Sequence, residues 1–210
     1  MDSAAKTIKK LKKSSTIEMV ERKSVFIGFS TNVENEQEAI EIIKEKKSKY
    51  YDATHNVYAY VLDGGNIARY SDDGEPQGTA GIPVLNAIKM SDITDALVIV
   101  TRYFGGILLG AGGLVRAYSA CASKAIETSG IAIWEKYIEY ECELSYSDYQ
   151  RLLSVSESYD MKTDKSQFSE NVFLKFAIPE KMSEIFLTNM NELLSGRVSF
   201  KMTGDRFDSK

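Results

Sequence analysis

The stretch between Ile67 and Tyr118 holds eight of the chain's fourteen glycines and two of its three prolines. Glycine loses more conformational entropy on ordering than any other residue, so a cluster of this density does not serve stability. Bare backbone is needed for tight turns, for close crossings of two chain segments, or for a ligand held against main-chain N–H groups. The stretch therefore serves one or more of these three uses.

Composition narrows the class of protein. The 210 residues are 43% hydrophobic and 27% charged, as in a soluble globular protein of one large or two small domains. No apolar run approaches the roughly 20 residues of a membrane span, and the N-terminus has no apolar segment typical of secretory signals. We therefore expect a cytoplasmic protein without a membrane partner. The net charge of −4 argues against a protein that coats nucleic acid by bulk electrostatics.

Few side chains suit catalysis or a structural metal. Cys121 and Cys142 lie in apolar surroundings, which predicts small buried thiols. One histidine is too few to complete a zinc site of about four Cys or His ligands. That histidine, His55, has no nucleophile motif beside it, so we expect it to be hydrogen-bonded and partly buried. We predict no catalytic residue, and the sequence leans against an enzyme without deciding the question.

Hydrophobic periodicity predicts an α+β chain with two domains, residues 1–132 and 133–210. In the first domain, a helix is expected over Glu34–Tyr50, and the apolar run ALVIVT from Ala96 predicts a strand buried on both faces. Thr79 is predicted to cap the short helix that precedes this strand.

The second domain has the element order β-α-β-β-α-β, which is the split βαβ or ferredoxin-like arrangement. Apolar and polar residues alternate over Ile138–Leu144 and over Val172–Ile178, as in half-buried strands. Ser147 is predicted to cap the first helix, and RVSFKM from Arg197 is predicted to form the closing strand. This fold hosts many functions, so it does not identify an activity.

The glycine loop, Phe104–Gly113, is predicted to lie between the buried strand and a helix that ends near Gly130. A helix start offers unpaired N–H groups and the positive end of its dipole, which suits phosphate. The loop lacks the Gly-Lys-Ser/Thr of a Walker A motif and does not fit GxGxxG, so a P-loop ATPase or a Rossmann enzyme is not supported. The alternative is that small residues only allow a helix and a sheet to pack closely.

Three arginines flank this region, and their convergence would favour a phosphate site. They are Arg69, Arg102 and Arg116. Three acids, Asp72, Asp73 and Glu75, lie in the same stretch. These acids could pair with the arginines, or they could hold Mg²⁺ between the protein and a phosphate. The sequence leaves both alternatives open.

Two motifs carry a resemblance to a known family. ARYSDDGEPQGTAGIPVL from Ala68 and VTRYFGGILLGAGGLVRAYS from Val100 resemble the signature of the IMPACT/YigZ family, and His55 and Tyr58 fall where that family has a His and a Tyr. The resemblance implies an N-terminal domain like domain 2 of a small-subunit ribosomal protein, a fold shared with domain IV of elongation factor G and with the sugar and mevalonate kinases. It implies a ferredoxin-like C-terminal domain similar to domain V of the same factor.

The resemblance also places the candidate ligand-binding residues on the signature. They are His55, Arg69, Ser71, Asp72, Asp73, Glu75, Gly78, Thr79, Gly81, Arg102, Tyr103, Gly105, Gly106, Gly110, Gly112, Gly113 and Arg116, together with Gly74. Eukaryotic relatives regulate translation initiation under amino-acid shortage, but they rely on an additional N-terminal domain not found in this sequence. Their protein partner is therefore not expected here.

We predict a protein that binds RNA, a nucleotide or the ribosome through these Gly- and Arg-rich loops and acts in the control of translation. RNA or the ribosome is the expected partner, and a nucleotide or phosphate ligand is the alternative. Two other functions stay open. One is an enzyme that uses phosphate esters or nucleotides, with Mg²⁺ at the acidic turn. The other is a protein-binding module with Tyr103 and Phe104 as exposed anchors. Apart from Mg²⁺, no cofactor is predicted.

Overall fold

The structure is a computed structural model that describes residues 7–209, so the predicted domain ends at residues 1 and 210 lie outside it. The described chain divides into two compact units, one over residues 8–132 and the other over residues 133–209 together with Thr7. Each unit combines helices with an antiparallel sheet, which confirms the predicted α+β class.

The N-terminal unit is built on a five-stranded sheet with helices on both faces. A short strand, β1 (Ile8–Leu11), comes first in the chain. In spatial order the sheet contains β2 (Ser15–Glu21), β3 (Ser24–Asn32), β6 (Ala96–Tyr103), β4 (His55–Leu62) and β5 (Ile67–Ser71). The helices are α1 (Glu36–Lys49), α2 (Gly81–Met90) and α3 (Ala111–Ser129). Helices α2 and α3 cover one face of the sheet, and α1 covers the other.

Strand β6 lies in the middle of this sheet, and its side chains alternate between two cores. Val98 and Val100 pack with residues of α2 and α3, whereas Leu97 and Ile99 pack with α1. All four are at most 2% exposed, which confirms the predicted strand buried on both faces. The strand continues beyond the apolar run, so Arg102 lies inside it and is held in register by both neighbouring strands.

The start of α2 differs from the prediction. Ala80 precedes its first turn without a side-chain cap. The carboxylate of Asp72 instead accepts hydrogen bonds from the backbone N–H groups of Gly78, Ala80 and Gly81 at 2.9, 3.1 and 2.7 Å. The Thr79 hydroxyl donates to a carbonyl within its own turn. The predicted Thr79 cap is therefore wrong, because an acid from the preceding loop occupies the positive end of the helix.

The C-terminal unit shows the predicted β-α-β-β-α-β order. Its elements are β7 (Ile131–Leu144), α4 (Tyr146–Ser156), β8 (Lys162–Phe168), β9 (Val172–Pro179), α5 (Glu180–Leu193) and β10 (Lys201–Ser209). The strands lie in the order β10-β7-β9-β8 with every neighbouring pair antiparallel. The alternating residues of β7 and β9 that were predicted to be apolar and buried form its core.

Two details of this unit correct the sequence interpretation. The hydroxyl of Ser145, and not Ser147, accepts the capping hydrogen bond from the Asp148 N–H at the start of α4. The closing strand begins after most of the predicted RVSFKM segment, because Val198 and Phe200 pack into the core before the chain joins the sheet. No helix within residues 7–209 is long and apolar enough to cross a membrane.

Candidate functional site

A cleft of about 410 Å³ opens in the N-terminal unit where the acidic turn, the glycine loop and the first turn of α3 meet. It is lined by Thr54, His55, Gly74, Glu75, Pro76, Arg102, Phe104, Leu108, Leu109, Gly110, Ala111 and Leu114. The cleft thus combines three ionisable side chains with an apolar wall. Pockets of this size and mixture are typical of small-ligand sites.

A buried ion pair forms the floor of the cleft. Arg102 Nη1 donates to Glu75 Oε1 at 2.6 Å, with the two side chains 6% and 3% exposed. The Tyr118 hydroxyl donates to the same oxygen at 2.8 Å, and the Ser24 hydroxyl accepts from Arg102 Nη2 at 3.3 Å. Burial, reinforced by the Glu75 carboxylate, raises the pKa of Tyr118 far above its usual range. Tyr118 therefore remains a neutral donor, and Glu75 and Arg102 offset each other's charge.

His55 lies beside this pair, and its geometry confirms the prediction of a hydrogen-bonded, partly buried histidine. Its Nδ1 is 2.8 Å from the carbonyl oxygen of Asp73, and its side chain is 18% exposed. A carbonyl can only accept, so Nδ1 carries a hydrogen, and Nε2 is the nitrogen that presents a lone pair in the corresponding uncharged tautomer. Nε2 lies 3.8 Å from Glu75 Oε1, which is too far for a hydrogen bond.

The acidic turn does not gather its carboxylates around one point. Asp72 accepts from the loop before α2, as described above, and Glu75 faces Arg102. Asp73 accepts from Lys47 Nζ at 2.5 Å and from the Asn56 N–H at 2.6 Å. Within residues 7–209 no group of three or more Asp, Glu, His or Cys side chains is placed to share a metal ion. Of the three acids only Glu75 pairs with one of the three arginines, since Asp72 accepts from backbone and Asp73 pairs with a lysine.

The three arginines do not converge, and this part of the sequence interpretation is wrong. Arg102 lies in the floor of the cleft, whereas Arg69 is exposed on β5 with its Nε 3.6 Å from Glu36 Oε1. Arg116 lines a second depression of about 220 Å³ on the other side of Leu109, together with Arg22 and Gly113. Residue spacing could not reveal this, because β5 is the edge strand of the sheet and carries Arg69 away from the loop.

Some signature glycines are packing positions. A Cβ built on Gly105 would lie 2.0 Å from the carbonyl carbon of Lys23, and one on Gly81 would lie 2.8 Å from that of Ser71. Both contacts are with backbone, which cannot move aside as a flexible side chain can. Lys23 itself lies in the β2–β3 turn with φ 65°. The close-crossing explanation therefore holds at Gly81 and Gly105.

Other signature glycines face open space. Gly110 stands before α3 with φ 70°, a conformation that favours glycine, and no side chain caps the helix there. No atom lies within 4 Å of a Cβ built on Gly110 or Gly106, and only the Arg116 guanidinium lies within 4 Å of one on Gly112. The N-terminus of α3 is thus accessible, as the ligand-cradle explanation requires.

The remaining predicted residues support the local backbone. The Ser71 hydroxyl accepts from the Asp73 N–H at 3.1 Å. The Tyr103 hydroxyl donates to Asp52 at 2.8 Å, so Tyr103 is anchored to the loop before β4. Phe104 is 45% exposed and is held by a hydrogen bond from its N–H to the Thr54 hydroxyl.

Sequence reasoning did not assign Tyr118 and Leu108 to the site. Tyr118 lies among the apolar residues of α3, and a tyrosine in such a position usually finds a polar partner when buried. Leu108 is 81% exposed, and an apolar side chain inside a glycine-rich loop was the available signal for a binding wall.

Comparison with known proteins gives the same family as the two signature motifs. Residues 22–126 match the model of the Impact N-terminal domain. The chain is 35% identical over 192 residues to the IMPACT family member YvyE of Bacillus subtilis, covering 91% of this chain and 88% of that protein. It is 32% identical over 185 residues to an IMPACT family member of Haemophilus influenzae, covering 86% and 89%.

Among solved structures, the crystal structure of a hypothetical protein aligns with a TM-score of 0.60 and 26% identity, covering 92% of this chain and 96% of that one. The similarity therefore extends across both compact units.

Proposed function

The chain belongs to the IMPACT family, and from that premise we propose that it binds RNA, on the ribosome, through the N-terminal unit and acts in the control of translation. The observation that carries the proposal is an accessible helix N-terminus flanked by exposed basic side chains and an exposed aromatic ring. These features supply the two contacts that single-stranded RNA needs, which are cationic partners for phosphate and a flat surface for a base.

The phosphate contacts are assigned to α3 and the β2–β3 turn. Arg116 is exposed and forms no ion pair with any residue between 7 and 209. Arg22 shares the depression with Arg116, and its nearest carboxylate, Glu21, lies 4.0 Å away. Both guanidinium groups are exposed, and the pair between Arg22 and Glu21 is a long surface contact that a phosphate can displace. Near Gly113 the dipole of α3 adds positive potential.

Charge pairing favours the N-terminal unit over the C-terminal one. The exposed face of β7 carries acids, and these pair with cations of neighbouring strands. Glu139 contacts Arg206, and Glu141 contacts both Lys175 and Lys201. These cations are already neutralised within the sheet, so the face offers phosphate little net attraction.

Fluorescence anisotropy with labelled ribosomal RNA fragments tests the proposal. We expect binding that weakens steeply between about 50 mM and about 200 mM salt, because phosphate contacts release counterions. Arg116→Ala should weaken binding to all sequences and reduce the salt slope by about 1. Arg69→Ala is the matched control, since it removes an exposed arginine that lies away from the proposed surface. Binding that is absent, or equally affected by both variants, would refute the proposal.

A further inference from the structure

We propose that the cleft receives one unstacked base of the bound RNA and selects bases that carry an exocyclic amino group. This inference rests on the proposed RNA binding and specifies the ligand class of the cleft. It is carried by three observations: an apolar wall, a carboxylate with one unused oxygen, and a histidine that presents a lone pair.

The wall suits a flat aromatic ring. Phe104, Leu108, Leu109 and Leu114 line one side of the cleft, and Phe104 and Leu108 are 45% and 81% exposed. An aromatic ring in such a position stacks on a base that has left its own stack. The volume of about 410 Å³ accommodates a single base with its sugar, and it is within the usual range for small-ligand pockets.

The Glu75 carboxylate has one oxygen available to a ligand. Oε1 accepts from Arg102 and from Tyr118. Oε2 takes part in no hydrogen bond with the described residues, and it keeps some contact with solvent. The Glu75 side chain is only 3% exposed, yet it keeps one unpaired acceptor that a molecule in the cleft can reach.

His55 adds a second acceptor to the same floor. With Nδ1–H donated to the Asp73 carbonyl, a hydrogen at Nδ1 leaves Nε2 as the acceptor nitrogen of the uncharged tautomer. Nε2 lies 3.8 Å from Glu75 Oε1, so the two side chains are neighbours at the floor with no hydrogen bond between them. Arg102 borders the same floor, where Nη1 donates one hydrogen to Glu75 and Nη2 donates one to Ser24. Each Nη atom keeps a second hydrogen, and Nε is buried without a partner.

Two neighbouring acceptors recognise a hydrogen-bond donor. Adenine, cytosine and guanine each carry an amino group, which can donate two hydrogens. Uracil has none, and its N3–H lies between two carbonyl oxygens that would face the acceptors of the floor. A buried acceptor left without a donor loses binding by about fivefold or more. The cleft should therefore favour amino-bearing bases over uracil.

Uridine strands of about twelve nucleotides with one variable central residue test this selectivity. The central residue is adenosine, purine riboside, which differs from adenosine only in lacking the amino group, or uridine. We expect the adenosine strand to bind at least about fivefold more tightly than either of the others. Comparison with purine riboside separates amino-group recognition from stacking, because both purines have similar rings.

Two variants locate the effect while keeping both members of the buried ion pair. Phe104→Ala should weaken the adenosine strand by about fivefold, and His55→Gln should reduce its advantage over purine riboside. Phe168→Ala is the control, since Phe168 is also an exposed phenylalanine, at 59% against 45% for Phe104, and lies in the C-terminal unit. Salt-dependent binding that is equal for all three strands and unchanged in Phe104→Ala would overturn the base pocket while leaving RNA binding intact. Loss of binding to every strand would overturn both.

Discussion

Arg102 Nη1 lies 2.6 Å from Glu75 Oε1, and neither side chain is more than 6% exposed. The two residues are 27 positions apart in the chain and join the central strand of the sheet to the acidic turn. A buried pair of this kind stabilises the fold only while both partners are present, because either one alone is an uncompensated charge in a medium of low dielectric constant.

We expect Glu75→Gln to lower the free energy of unfolding by about 3–5 kcal/mol, since it leaves Arg102 buried without its counter-charge. Urea denaturation of the purified variant measures this loss. Glu127→Gln removes an exposed pair with Lys124, whose side chains are 73% and 61% exposed, and should cost less than about 1 kcal/mol. Similar losses for the two variants would contradict the assigned role of the buried pair.

Two glycine substitutions should have opposite effects on stability. Gly105→Ala places a Cβ 2.0 Å from the Lys23 carbonyl carbon, so it should cost about 3 kcal/mol or more through displaced backbone. Gly112 lies in the first turn of α3, where a Cβ would meet only the flexible Arg116 guanidinium, at 3.5 Å, so Gly112→Ala should be neutral or stabilise by up to about 1 kcal/mol. Thermal unfolding of both variants measures these effects. A Gly105→Ala variant as stable as the parent protein would show that the backbone at Lys23 leaves room for a Cβ on residue 105.

Asp72 should matter more to stability than Thr79. Asp72→Ala leaves three backbone N–H groups before α2 without their acceptor and should cost about 2 kcal/mol or more. Thr79→Val removes one hydroxyl hydrogen bond and should cost about 1 kcal/mol. Chemical denaturation distinguishes the two. The reverse order would restore Thr79 as the residue that organises this helix start.

The cysteine thiols should be unreactive in the folded protein. Burial raises the pKa of Cys121 and of Cys142 to about 12, so at about pH 8 neither supplies thiolate, the reactive form. Because the folded pKa is raised, the neutral thiols favour folding below their ordinary pKa, and this contribution declines as pH rises toward 12. A thiol reagent such as Ellman's should react with two groups after unfolding in guanidinium and with neither beforehand. Rapid reaction of the native protein would place a thiol at the surface.

The local hydropathy pattern was sufficient to predict strands that are buried through a regular run of apolar residues. The alternation over Val172–Ile178 and the apolar run of β6 identified buried strands correctly, because the hydropathy of consecutive residues determines which of their side chains are buried. β10 was misplaced because its residues are largely polar and exposed, so nothing in their hydropathy marks the register with β7.

The candidate site was harder to predict because its contacts are distant in sequence. The glycine loop and its helix were located from composition alone, but the pairing of Glu75 with Arg102 and Tyr118 depends on how the acidic turn folds over β6. Spacing also could not show that Arg69 lies on an edge strand. The contacts of the cleft therefore depend on the order of the strands in the sheet, which residue spacing does not give.

The position of Arg102 on the central strand separates two timescales of motion within one cleft. Its amide is paired inside the sheet, so its hydrogen should exchange with solvent only when the whole unit unfolds. The amides of the glycine loop from Gly106 to Leu109 form no backbone ladder and should exchange through local opening. A ligand that occupies the cleft would slow amide exchange in the glycine loop and leave the exchange rate of Arg102 unchanged. The loop amides would then report ligand binding, with the Arg102 amide as the internal reference.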